Sequence, residues 1–282
     1  MAERDHRSQK SRGKVSCHET KLPSVPSVPS VSSVPSVCQM TDPFFACVCL
    51  TYRRAHLLPR AIESYRRQTW PADRRTLIVL DDSGQYRDCD LFRDGIFRSV
   101  PERYPTLGEK RNAAIALAPP ETTHLAVWDD DDVYLPWHLA AAARALRDCA
   151  WSIPAFAGIL ESPAGPVKYN PTQNLYHASW CFALSAFDAV GGYRRKDSGE
   201  DQDLRQRLWQ AGYTAADPCK QFAPSFLMGW EGTESHHISA MGTDGYRVLG
   251  LRPTHGVVSV TQLTPHWPAD YVALAMKGWR PH

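Results

Sequence analysis

The chain has 282 residues, 43% of them hydrophobic and 22% charged, with a formal net charge of +2. That length suits one large domain or two small ones, and a nearly balanced charge gives bulk electrostatics no vote for or against an anionic partner. The chain has no apolar run of about 18 residues and its N-terminus is polar and charged, so neither a spanning helix nor a secretory signal is legible.

Eight cysteines are scattered without a CxxC pair. Several sit inside apolar runs as small core residues. These features lead us to expect a soluble, cytoplasmic protein.

Residues 1–41 are polar and charged, then pass into the Pro-Ser-Val tract that begins Pro23-Ser24-Val25-Pro26. Proline at this density blocks helix and sheet interiors, so a disordered extension is expected there, followed by a single domain over 42–282. Phe44 to Leu50 is a continuous apolar run of strand length, and Leu57, Leu58, Ala61, Ile62 and Tyr65 recur at helical spacing. Thr76 to Leu80 is a second buried strand, and Ile96 to Val100 a third. Thr106-Leu107-Gly108-Glu109 has capping-box spacing and opens a helix through Ala118. His124 to Trp128 is the next strand, and Pro136 starts an alanine-rich helix to about Asp148. Strands alternating with helices at this spacing predict an α/β fold with a mostly parallel sheet. Beyond residue 150 the pattern is less regular. Strands are expected over Ala155 to Leu160 and Ala178 to Leu184, helices over Ser185 to Val190, Asp203 to Ala211 and Tyr271 to Met276.

Two of the predicted strands end in acidic clusters, Asp81-Asp82 and Asp129-Asp130-Asp131-Asp132. A single Asp-Asp after a strand is usually a turn or cap, but ligands of open α/β sheets sit at the carboxyl ends of the strands. Four adjacent carboxylates repel one another, and a divalent cation with oxygen ligands offsets that cost. A third cluster, Glu200-Asp201-Gln202-Asp203, precedes a predicted helix. Asp203 or Gln202 alone would serve as its cap, leaving Glu200 and Asp201 free.

Taken in order, several pieces of the chain resemble the inverting family 2 glycosyltransferases of the GT-A fold, over roughly residues 44–240. The pieces are Cys49-Leu50-Thr51-Tyr52-Arg53-Arg54; Arg60 to Ser64 with Gln68-Thr69-Trp70-Pro71; Ile78 to Gly84; Glu109 to Ala114; Trp128 to Pro136; and Gly191-Gly192-Tyr193 with Gly199 to Leu204. The resemblance implies a donor-binding half over 42–150 and an acceptor-side half over 151–282. It places Thr51, Tyr52, Arg54 and Asp82 on the donor, with a basic or amide side chain (Lys110, Arg111, Asn112) facing the donor phosphates or packing the loop. Asp129-Asp130-Asp131 matches the family's Asp-x-Asp motif. Asp131 would bind the metal, Mn²⁺ or Mg²⁺, with Asp129 or Asp130 contacting the ribose or a bound water and Asp129 also a candidate ligand, while Asp132 would only cap the next segment. Asp201 would be the general base, with Glu200 as the alternative. His237 is favoured over His236 as a further metal ligand, and His177 and Trp180 are candidate acceptor contacts.

The expected partners are therefore a nucleotide-diphospho sugar and an acceptor hydroxyl on a carbohydrate, a small molecule or, given the many arginines, a polyanion such as hydroxylated DNA bases. A nucleotidyltransferase would want a glycine-rich phosphate loop after the first strand, and Thr51 to Leu58 contains no glycine. A non-catalytic nucleotide-sugar-binding module is the remaining alternative.

Overall fold

The computed structural model describes residues 42–160, 162, 164–229 and 256–280. Its centre is a seven-stranded sheet in the order β11-β7-β10-β5-β1-β2-β4. Those strands are β1 (Phe45–Thr51), β2 (Arg75–Asp81), β4 (Gly95–Ser99), β5 (His124–Asp129), β7 (Trp151–Ser152), β10 (Cys181–Ala183) and β11 (Ala215–Ala216). Strands β5, β1, β2 and β4 run parallel, and β10 pairs antiparallel with both β5 and β7. A second sheet, β6-β12-β8-β9, is built from β6 (Val133–Tyr134), β8 (Phe156–Leu160), β9 (Val167–Pro171) and β12 (Phe226–Gly229). A two-strand pairing joins β3 (Tyr86–Arg87) to β13 (Val258–Ser259).

Every residue of β1 and β2 is buried, as expected of parallel strands covered on both faces. Side chains alternate between two cores with the period of 2 that a strand imposes. Phe45, Cys47, Cys49, Leu77, Val79, Ala126 and Trp128 pack with Leu58, Ala61 and Ile62 of α1 (Leu58–Arg66) and with Leu139 and Ala142 of α3 (His138–Ala145). On the opposite face Ala46, Val48, Ile78, Leu80, Leu125 and Val127 pack against α2 (Leu107–Ile115), α4 (Leu184–Ala189) and α5 (Glu200–Gln210). A last helix, α6 (Tyr271–Gly278), packs with the second sheet.

Thr106 caps its helix: the Thr106 hydroxyl accepts from the Glu109 amide at 3.2 Å and donates to the Glu109 carboxylate at 3.0 Å. The expected strand over Ala178 to Leu184 is shorter, because a 3₁₀ turn occupies His177–Ser179 and β10 begins at Cys181. The helix expected from Asp203 starts three residues earlier. Gly199, at φ +69°, caps it from the left-handed region that glycine tolerates, so Glu200 and Asp201 belong to its first turn. The short strands β6, β9 and β12 lacked a sequence signal strong enough to be read. Six cysteines are free among the described residues, and no helix among them is long and apolar enough to cross a membrane.

His138 lies buried under this sheet, with Nδ1 2.9 Å from Ser225 Oγ, edge-on to Trp128 and Tyr134. Burial pushes its imidazole pKa down to about 3. The folded state keeps it neutral while the unfolded chain protonates it below about 6.5, so its contribution to stability is present above that pH and is lost as pH falls toward about 3. Buried carboxyls whose pKa is raised, such as Asp130, act with the opposite sign, so the effect is read as a difference. The stability gap between the wild type and His138→Asn should shrink by up to about 1.4 kcal/mol per pH unit over that window, as checked by urea unfolding at successive pH values.

Candidate active site

The strand register brings the acidic clusters together. Thr51 pairs with Asp81 and Leu50 with Asp129, so the carboxyl ends of β1, β2 and β5 lie side by side. At that point the chain leaves the large sheet. It turns through Asp130 to Asp132 and enters the second sheet as β6, which pairs with β12. The turn is anchored on both sides. Trp128 donates from Nε1 to the Ala61 carbonyl at 3.0 Å and stacks on Tyr134 at 3.8 Å, and the Tyr134 hydroxyl receives the Asp129 amide at 2.7 Å. Asp132 Oδ1 accepts the Gly229 amide at 2.8 Å, and Arg60 Nη2 donates to the Asp131 carbonyl. A Cβ at Gly229 would overlap that same carbonyl oxygen, so β12 can approach the turn only without a side chain there.

The turn forms one wall of a cleft of about 810 Å³. Also lining it are the N-terminus of α5 with Glu200 and Asp201, and the segment from Asn170, near the end of β9, to Ala178. Gln173 and Asn174 of that segment both take positive φ, at 50° and 60°, and Arg205 of α5 donates to the Asn174 carbonyl at 3.0 Å.

Carboxylate oxygens of Asp129, Asp131 and Asp132 lie within 4.8 Å of one another. An all-oxygen set of this kind suits a small hard cation. Burial, and then the neighbouring Asp131 and Asp129 charges, push the Asp132 carboxyl well above its usual range, and a cation would relieve that repulsion. The residues present therefore fit Mn²⁺ or Mg²⁺. Asp132, expected only as a cap, joins the cluster.

Two arginines neutralise part of this charge. Arg54 Nη1 lies 2.8 Å from Asp131 and its Nη2 2.7 Å from Asp130. Arg111, on α2, lies 3.1 Å from Glu200 and 3.9 Å from Asp129, beside the Tyr193 ring. Burial works against the Arg111 charge, but Asp129, Tyr193 and Glu200 outweigh it and hold its pKa above the ordinary value. Burial raises the Glu200 pKa, and Arg111 opposes that rise. Asp201 is half-buried at the cleft, its Oδ1 accepting the Gln202 amide at 2.8 Å.

Several expected contacts are placed elsewhere, each for a visible reason. Trp180 is fully buried among Trp151 and the second core, so it is not an acceptor contact. Asn112 engages the backbone of Tyr193 with both ends of its amide, at 2.8 and 3.0 Å, and so packs the loop instead of facing a donor. Asp130, in the turn itself, is fully buried; burial raises its pKa and Arg54 opposes the rise. Asp82 and Lys110 pair with each other at 2.5 Å, with Lys110 also donating to the Thr51 carbonyl at 2.7 Å. Thr51 is buried, and the Tyr52 ring lies beneath Arg103 at 4.2 Å; neither lines the cleft. His177 does line it, with Nε2 2.8 Å from the Tyr193 hydroxyl. Burial, then Arg111, lowers its pKa well below the usual value. His236 and His237 lie outside the described residues. Gly229, Asp197 and the 170–176 segment were not singled out from the sequence as site residues, because their signals are a short strand end and a loop.

No protein-family model matches the chain, and no curated protein matches it in sequence. Solved structures do match in fold. S. aureus TarS, residues 1–349, in complex with UDP-GlcNAc, superposes with a TM-score of 0.55 at 14% identity, over 72% of this chain and 64% of that one. The mannosyltransferase PcManGT from Pyrobaculum calidifontis, in complex with GDP-Man and Mn²⁺, gives 0.50 at 16% identity, over 67% of this chain and 57% of that one. In both cases this chain spans less than two thirds of the other's length. The mostly parallel sheet, with its aspartate turn at the exit of β5, belongs to a GT-A glycosyltransferase-like fold.

Proposed function

We propose that this chain is a divalent-cation-dependent glycosyltransferase that moves a sugar from a nucleoside diphosphate to an acceptor hydroxyl with inversion. The observation that carries this reading is one cleft lined by both the Asp129–Asp131–Asp132 oxygens and Glu200–Asp201. Asp129, Asp131 and Asp132 would hold Mn²⁺ or Mg²⁺, which when bound supplies Lewis-acid neutralisation of the diphosphate.

Asp201 takes the proton of the acceptor hydroxyl. As it does so, the acceptor oxygen forms its bond to the anomeric carbon, the carbon–oxygen bond to the diphosphate breaks, and the nucleoside diphosphate leaves with the electron pair. Asp201 is preferred over Glu200 because Glu200 is buried and engaged by Arg111, whereas Asp201 faces the cleft. His177 lines the same cleft and would contact the acceptor.

Among the described residues, six carboxylates line the cleft (Asp129, Asp131, Asp132, Asp197, Glu200 and Asp201) against two guanidiniums, Arg54 and Arg111. Both guanidiniums are already committed to carboxylates. That balance favours a neutral acceptor over a polyanion, since like charges brought into one cleft repel.

The test is release of nucleoside diphosphate from UDP-, GDP- and dTDP-sugars with and without Mn²⁺. One donor class should turn over, EDTA should abolish turnover, and Asp131→Asn should lower it at least about 100-fold, as loss of several kcal/mol of charge stabilisation requires. EDTA-insensitive turnover with a fully active Asp131→Asn variant would sink the reading.

A further inference from the structure

Arg54 occupies an unusual position among the cleft residues. Its guanidinium fork straddles two aspartates of the same turn: Asp130, which is fully buried, and Asp131, which faces the cleft. Arg54 is itself 7% exposed and lines the cleft. Asp130 thus anchors one side of the fork while the other side rests on a carboxylate of the cation cluster.

A guanidinium and a divalent cation compete for one carboxylate oxygen, because each repels the other at short range. A diphosphate, by contrast, is a favoured partner of arginine, which matches its oxygens bidentately.

We infer that Arg54 is a built-in counter-ion which weakens cation binding in the empty cleft, and that the diphosphate of the donor relieves this by drawing the guanidinium off Asp131. The inference rests on the cation-dependent reading of the site. It makes cation and donor bind with positive coupling. By linkage, the factor by which the nucleotide tightens the cation equals the factor by which the cation tightens the nucleotide. Arg54 exchanges Asp131 for the donor diphosphate in this scheme, and Asp130 is the anchor that keeps it beside the cluster.

The experiment measures Mn²⁺ binding to the full chain by electron paramagnetic resonance of the free ion, with folding checked by circular dichroism. Removing Arg54 alone would leave Asp130 buried without its partner, so Arg54→Gln is made on an Asp130→Asn background and compared with Asp130→Asn alone. Without nucleotide, Arg54→Gln/Asp130→Asn should bind Mn²⁺ roughly tenfold more tightly than Asp130→Asn. The tightening that UDP or GDP produces in the wild type should shrink in the double variant. Arg54→Lys, which keeps a charge for Asp130 but loses the fork, should also bind Mn²⁺ more tightly than the wild type, and it serves as the readout if the double variant does not fold.

Mn²⁺ affinity that is equal or weaker without the Arg54 fork overturns the inference. If Asp131→Asn abolishes Mn²⁺ binding in that case, the cation site stands and only the role of Arg54 falls. Mn²⁺ binding that survives in Asp131→Asn, or is absent from every protein, overturns the cation site and the inference together.

Discussion

Asp201→Asn should lower kcat by roughly 10²–10⁴-fold, the usual contribution of a positioned general base, while leaving Mn²⁺ and UDP or GDP affinity unchanged. Asparagine keeps the shape and the hydrogen bond from the Gln202 amide but cannot take the acceptor proton. The proton is lost only as the acceptor oxygen attacks, so the deficit belongs in kcat and not in donor binding. Glu200→Gln should behave differently. It removes the charge that Arg111 meets at 3.1 Å, so a buried guanidinium is left with Asp129 at 3.9 Å, and stability falls together with activity. Single-turnover kinetics separate the two variants. If Asp201→Asn retains wild-type kcat, or if it loses donor affinity instead, Asp201 is not the base.

Lys110→Met should be the most damaging substitution for stability near the site. Asp82 and Lys110 are almost completely buried and 2.5 Å apart, and burial already lowers the Lys110 pKa, with Asp82 opposing it. Removing the lysine leaves Asp82 with the Tyr104 amide at 3.2 Å. Breaking one side of a buried pair costs about 3–5 kcal/mol, which for a domain of this size lowers Tm by on the order of 10 °C. Replacing both partners, as Lys110→Met/Asp82→Leu, should recover much of that loss, because the uncompensated charge disappears. Thermal unfolding of the two variants decides the matter. A double variant as unstable as the single would show that Lys110 acts through the Thr51 carbonyl instead.

The sequence and the structure agree where the signal is local. Apolar runs of strand length at Phe44 to Leu50 and Thr76 to Leu80 became β1 and β2, each fully buried. Thr106 became the N-cap of its helix. Charged clusters at strand ends were legible because two of them follow buried strands of one sheet, at the carboxyl ends where ligands of such sheets sit. Agreement fails where a residue's role depends on what approaches it from elsewhere in the chain. Asn112 sits on the expected helix, yet its amide is taken by Tyr193, 81 residues away. Trp180 looked available for an acceptor but is sealed against Trp151. Asp132 read as a cap, and only the approach of Gly229, 97 residues later, places it in the oxygen cluster.

By itself, then, the amino-acid sequence determined the α/β class, the strands that carry the site and the acidic character of their ends. These follow from hydrophobic period and local charge, which act over a few residues. Only the tertiary structure decided which carboxylates face the cleft, which are buried behind it, and which cation each one meets. The four aspartates from 129 to 132 are chemically identical and adjacent. Their separation into a buried anchor and three clustered oxygen donors comes from the corner between two sheets and from Arg54, Arg111 and Gly229 arriving from distant segments. Those contacts are long-range, so no local pattern encodes them.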